Sequence, residues 1–202
     1  MVDQQKKASY KPLWILIALC AFPYIAGSLY YHFQDQLPDV GTSNYGQLVQ
    51  PLVELKDIDL RLLDGSDKSI TDYRKKWLML YVLDGECSED CQKNIYFMRQ
   101  IRKAMADERF RINRLLVLQN EDLHSESLKK ILLDFQGMDV ATINTNSEEH
   151  FYSTIQSTSG NIFRKIMLID PLGNYMMEYD KEPDPELVLK DIKKLLSISR
   201  IG

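Results

Sequence analysis

The chain has 202 residues and a formal net charge of −4 at pH 7, a length that suits one domain of ordinary size plus a short accessory segment. No run of five or more basic residues occurs, so nucleic-acid binding has no electrostatic footprint to rest on. No internal repeat or low-complexity tract interrupts the chain.

The first predicted element is a membrane span. Residues Leu13 to Tyr31 (LWILIALCAFPYIAGSLYY) carry no charged side chain over nineteen positions, just enough to cross the hydrocarbon core as a helix. Pro23 and Gly27 would weaken a soluble helix but are tolerated in a membrane one. Trp14 near one end and Tyr30 and Tyr31 at the other suit the two interfaces. Lys6, Lys7 and Lys11 precede the span, and no Lys or Arg follows it until Lys56. The positive-inside rule therefore keeps residues 1–12 in the cytoplasm and exports the remainder, to the periplasm if the membrane is a bacterial inner membrane. The apolar run is long for a signal-peptide core and lacks a small-x-small site after it, which favours an uncleaved anchor.

Residues 32–50 are polar, with Pro38, Gly41, Thr42, Ser43, Asn44 and Gly46, and read as a linker to a domain spanning 51–202. In that domain Leu55–Leu63 followed by Asp64-Gly65-Ser66 predicts a short hairpin. The run Trp77–Leu83 (WLMLYVL) predicts a strand buried on both faces. Asn94–Asp107 places Ile95, Met98, Ile101 and Met105 on one helical face. Arg114–Leu118 predicts a second buried strand, and Ser125–Gln136 a helix stopped by Gly137. Asn144–Gly160 reads as a loop. Ile166–Ile169, the turn signal Asp170-Pro171-Leu172-Gly173-Asn174 and Tyr175–Tyr179 predict a late hairpin. Asp184–Ser197 closes the chain as a helix with Pro185 in its first turn. Strands alternating with helices predict an α/β domain with a central mixed sheet, and the terminal hairpin-then-helix is the thioredoxin-like order.

Two of the three cysteines, Cys87 and Cys91 (CSEDC), fall between the first buried strand and its following helix. In open α/β sheets sites form at the carboxyl ends of strands, and a helix N-terminus favours thiolates. Cys20 lies inside the span and takes no part. A purely structural disulfide is the plain alternative, although closing so short a loop removes little chain entropy. The neighbours Glu86, Glu89 and Asp90 disfavour a fast nucleophilic thiol and favour receipt of a cation, and soft thiolates select copper(I) or zinc.

The anchor, the segment WLMLYVLDGECSEDC with its Cys-x-x-x-Cys pair, and IFRKIMLIDPLGN together resemble the Sco/SenC family of membrane-anchored, thioredoxin-like cytochrome c oxidase assembly proteins. Met98-Arg99-Gln100 and Arg111 to Arg114 look more like a shortened bacterial branch of such proteins. The resemblance implies a copper site at Cys87 and Cys91, with a cytochrome c oxidase subunit or another assembly factor as partner. It also implies a histidine ligand upstream of Asp170, where the chain instead has Ile162 between Asn161 and Phe163. The histidines present are His32 at the membrane exit, His124 before a helix, and His150, which as a loop residue could fold back toward the pair. Met176 and Met177 are the other soft candidates, but strand alternation assigns one of them to the core. The segment also lacks a proline just before its strand, where thioredoxins place one in cis; Pro171 lies beyond the strand.

Three functions are consistent with these residues. One is an oxidase assembly factor that holds copper(I), or reduces copper-site cysteines, through Cys87 and Cys91. Another is a periplasmic thiol–disulfide oxidoreductase with Cys87 as attacking and Cys91 as resolving thiol. The third is a non-catalytic interaction module with a structural disulfide.

Overall fold

The chain is described from a computed structural model for residues 10–33, 43–119 and 137–201. It divides into two units, Met1–Ser43 and Asn44–Gly202. The first contains helix α1 (Lys11–Phe33), which has no buried residue and is long and apolar enough to cross a membrane. At 1.5 Å per residue it measures about 35 Å. Its apolar side chains are largely exposed.

The second unit holds strands β1 (Gln47–Glu54), β2 (Asp59–Leu62), β3 (Asp67–Ser69), β4 (Trp77–Asp84), β5 (Ile112–Gln119), β6 (Asp139–Ile143), β7 (Ile166–Ile169) and β8 (Asn174–Tyr179). Helices α2 (Glu89–Ala104), α3 (Thr145–Ser159) and α4 (Pro185–Ile198) pack on them. The strands form one sheet in the order β1-β8-β7-β4-β5-β6-β2-β3. Pairs β4–β5 and β5–β6 are parallel, whereas β7, β8 and β1 on one side and β2 and β3 on the other are antiparallel. The sheet is therefore mixed, with its parallel part at the centre.

Strand β4 explains the layering. Every residue from Trp77 to Leu83 is buried, which is why the run is continuously apolar. Trp77, Met79, Tyr81 and Leu83 join a cluster with Ile95, Met98 and Ile101 of α2 and Val188, Ile192 and Leu196 of α4. Leu78, Leu80 and Val82 point the other way, toward Phe151 and Ile155 of α3. Full burial of each such side chain contributes about 2 kcal/mol, so both faces are strongly specified.

The hairpin, the two buried strands, the late hairpin and the last helix stand where the sequence places them. Three expectations need correction. Gln47–Gln50, read as linker, are the first half of β1, which pairs with β8 at the sheet edge. Its Pro51 is compatible with that edge place, where an N–H can be missing, and the register shifts between Leu48 and Val53. Asn144–Gly160, read as a loop, is helix α3, whose Ser147, Phe151 and Ile155 recur at four-residue steps on the buried side. Helix α2 begins at Glu89 rather than Asn94, because Cys91 extends the apolar stripe of Ile95 and Met98 back by one turn. At its other end α2 gives way to a 3₁₀ turn over Ala106–Arg111, where Ala106 has φ of 48°. The helix expected over Ser125–Gln136, and His124, lie outside the described residues.

Candidate functional site

Strand β4 ends at Asp84 beside the sheet's parallel centre, and the chain must reverse there to start α2. Gly85 makes the reversal with φ of 70°, a conformation that a side chain would strain. Cys87 follows in the turn and Cys91 sits in the first turn of α2, one helical turn later. The two are joined as a disulfide with their Cα atoms 5.2 Å apart. Cys87 is 6% exposed and Cys91 1%, so Cys87 is the sulfur nearer solvent. The Gln92 side-chain amide donates to the Cys87 carbonyl at 3.5 Å.

The segment before β7 closes the site from the other side. Phe163 forms a parallel bridge with Val82, and the Arg164 amide donates to the Val82 carbonyl at 2.9 Å. Arg164 has φ of 63°, uncommon for a residue with a side chain. From there its guanidinium spans the cysteine turn. Nε donates to Asp84 Oδ1 at 2.8 Å, one Nη to the Asp84 carbonyl at 3.0 Å, and the other Nη to Ser88 Oγ at 3.2 Å. The carboxylate bond to Asp84 holds the guanidinium pKa above its usual value.

Ser88 occupies the N-cap position of α2, yet its side chain makes no capping bond. Its hydroxyl accepts from Arg164 instead. Of the acidic collar expected from the sequence, Glu86, Glu89 and Asp90, the last is paired with a cation, as is Asp84 at the end of β4. Asp84 pairs with Arg164 and Asp90 with Lys93 at 3.4 Å, while Glu86 and Glu89 are exposed. Tyr152 of α3 packs its ring against Phe163 with centroids 5.9 Å apart. Burial, then the charges of Glu148 and Asp84, push the Tyr152 phenol up to about 12.

Beneath the turn lies Tyr81, fully buried on the β4 face that carries the cysteine cluster. Burial holds its phenol above the usual value; Asn94 and Arg164 act against that shift, and Asp84 and Asp90 reinforce it. Asn94 donates its amide to the Lys181 carbonyl at 2.6 Å, tying α2 to the approach to α4.

The structure thus brings Cys87 and Cys91 together and leaves His150 on the exposed side of α3. Among the described residues no group of three or more His, Cys, Asp or Glu is arranged to hold a metal ion. Met177 is buried in the core and Met176 packs partly against it. Sequence reading missed Arg164. The position of FRK directly before a predicted strand was the one available pointer to it.

This arrangement, a mixed sheet with a cysteine pair between its central strand and the next helix, defines a thioredoxin-like domain. Residues 77–199 match the model of the family described as transmembrane-like, thioredoxin-like, C-terminal domain, and the chain belongs to that family. No curated protein matches the chain by sequence. Among solved structures it is similar to yeast Sco1 with copper bound, at 14% identity and a TM-score of 0.59 over 79% of this chain and 96% of that one. It is also similar to a SCO1/SenC family lipoprotein from Bacillus anthracis, at 17% identity and a TM-score of 0.56 over 73% and 98%. The thioredoxin domain of a thiol-disulfide oxidoreductase from Bacteroides vulgatus matches at 15% identity and a TM-score of 0.54 over 71% and 94%. At these identities the likeness carries the fold.

Proposed function

We propose that this protein is a membrane-anchored assembly factor for a respiratory cytochrome c oxidase. It acts through Cys87 and Cys91, by holding copper(I) for transfer or by reducing the cysteines of a copper-receiving subunit. The observation that carries the reading is the Cys-x-x-x-Cys pair in redox-capable geometry at the carboxyl end of the central strand. The folds shared with copper-bound yeast Sco1 and with the Bacillus anthracis SCO1/SenC lipoprotein support it. Helix α1 serves as the anchor, with the N-terminus in the cytoplasm and the domain in the periplasm, as the lysine distribution favours.

Copper is cargo in this reading. Two thiolates four residues apart fit copper(I), which accepts two soft ligands, and lack the further donors copper(II) needs. The disulfide has no thiolate to offer, so the redox state of the pair decides whether metal binds. His150 would join the pair only if the segment carrying it moved.

The test is a copper(I) titration of the fully reduced chain in detergent against a competing chelator. Parallel samples carry Cys87→Ser with Cys91→Ser, and His150→Ala. One-to-one binding lost with the cysteines is expected, and weaker binding in the His150 sample would assign it as a ligand. Binding no tighter than that of the double variant would remove the copper reading. A thiol–disulfide oxidoreductase would then lead, favoured by the Arg164 cation beside the cysteine turn. In cells, unchanged oxidase activity after the double substitution would leave the pair a structural disulfide in an interaction module.

A further inference from the structure

Arg164 ties together two places that the cysteine turn separates. Asp84 ends β4 and Ser88 directly precedes α2, with Gly85, Glu86 and Cys87 between them. One guanidinium bonds to both. Nε donates to the Asp84 carboxylate at 2.8 Å, one Nη to the Asp84 carbonyl at 3.0 Å, and the other to Ser88 Oγ at 3.2 Å. The Arg164 backbone is itself fastened to β4, because its N–H donates to the Val82 carbonyl at 2.9 Å. Glycine would adopt the Arg164 φ of 63° at less cost, so what the position gains from arginine is the side chain.

The freedom of the pair resides in that turn. Cys91 is held in α2, and Ser88 is tied to the same helix, its carbonyl accepting from the Gln92 amide at 3.0 Å. Cys87 stands outside the helix, so residues 85–87 decide how often the sulfurs meet once the S–S bond is open. Opening by an external dithiol breaks that bond, adds two electrons and two protons to the pair and leaves the donor as a disulfide. Closing reverses these changes and is intramolecular, so its equilibrium rises with the effective concentration of one thiol at the other. A clamp from Asp84 to Ser88 raises that concentration by holding the turn in the shape it has in the disulfide. By linkage, each constraint supports the other equally. A cation acts in the opposite sense where it stabilises a thiolate, which favours the open pair. The Arg164 charge is met by the Asp84 carboxylate, so the clamp decides the sign.

We propose that Arg164 is a positioning residue for the cysteine pair: it holds the turn between Asp84 and Ser88 in the shape that favours the disulfide over the dithiol. A pair biased this way has a lower reduction potential, and its dithiol is the stronger electron donor. That direction suits reduction of a partner's cysteines, and the inference rests on the redox-active reading of Cys87 and Cys91.

The experiment equilibrates the full chain in detergent with mixtures of reduced and oxidised dithiothreitol at fixed pH. A Cys20→Ser background ensures that every thiol counted by maleimide tagging belongs to the pair. Arg164→Met should shift the equilibrium toward the dithiol by about twofold to tenfold, the range of a single net hydrogen bond. A tenfold change corresponds to about 30 mV for a two-electron couple. Arg164→Lys keeps the charge but lacks the planar fork that reaches both ends of the turn, and should shift it as far. Ser88→Ala removes one end of the clamp and should shift it the same way by less. Arg74→Met is the matched control: its guanidinium pairs with Glu54 and is similarly exposed, but it precedes β4 at the end away from the cysteines. No shift in the Arg164 variants, a shift toward the disulfide, a parental equilibrium in Arg164→Lys, or an equal shift in Arg74→Met would overturn the proposal. A parent pair that dithiothreitol never opens would instead remove the redox-active reading itself, and this inference with it.

Discussion

The starts of α2 and α4 face the same physical problem and solve it differently. Each helix begins with backbone N–H groups that have no intrahelical acceptor. At α4 the sequence supplies a complete answer: Asp184 accepts from the Glu186 amide at 2.9 Å, and Pro185 at the first position has no N–H to satisfy. Further along, Asp191 is buried and accepts from the Tyr45 and Gly46 amides at 2.9 and 2.8 Å, fastening the start of the domain to this helix. At α2 the equivalent residue, Ser88, gives its oxygen to Arg164 and leaves the first turn uncapped. That open turn carries Cys91 and follows Cys87. The uncapped start leaves the amides and positive dipole end of α2 available to sulfur, while the start of α3 at Asn144, also without a side-chain cap, has no cysteine to serve.

This contrast predicts a ranking of substitutions, read by chemical unfolding of the disulfide form. Asp191→Ala should have the largest effect, about 3 kcal/mol, because it leaves two amides unpaired, one of them buried. The dithiothreitol equilibrium of the pair should hardly move, since α4 supports the fold and not the sulfur chemistry. A change of tenfold in that equilibrium would break the division between the helices. Arg164→Met comes next, at about 1–2 kcal/mol, for the loss of three hydrogen bonds from a partly exposed guanidinium. Its loss should shrink as salt is raised in the unaltered chain, because screening already weakens the pair with Asp84. Salt-independent destabilisation would mean that packing of the side chain matters more than its charge. Asp184→Ala should follow at about 1 kcal/mol, the usual worth of a side-chain cap.

How much of this was readable in advance follows from where the information sits. Strands β4, β5 and β7 announce themselves because central strands buried on both faces must be continuously apolar. Helix α4 does so because Asp184-Pro185 and the stripe Val188, Ile192, Leu196 are all local signals. Strand β1 is obscured by Pro51 and by an edge position that buries little, with Val49 as its one fully buried residue. Helix α3 is obscured by its serines and threonines, which favour caps and turns over helix interiors. Tertiary burial of Phe151 and Ile155 overrides that preference. The cysteine pair was legible from its spacing and its place after a buried strand. Arg164 was not, because its relation to the pair depends on β7 pairing with β4 across some eighty residues of chain. No local pattern encodes that register.

The smallest effect in the ranking is also the one that best separates the two helix starts. Ser88→Ala in the unaltered chain should cost only about 0.5 kcal/mol, because the bond it removes is one of three that hold Arg164 and caps nothing. With Arg164→Met already in place, the Ser88 hydroxyl has no guanidinium to serve and is free to turn to the α2 amides as an ordinary N-cap. Removing it there should cost about 1 kcal/mol, more than in the parent. The cycle should therefore show a negative saving: the double variant is less stable than the two single changes predict when added. The opposite sign would be expected of a simple Ser88–Arg164 pair, in which the second loss costs less once the first has occurred. Additive or sub-additive losses would show that Ser88 never becomes a cap, and that the open start of α2 is set by the backbone of the cysteine turn rather than by the competition of Arg164 for its oxygen.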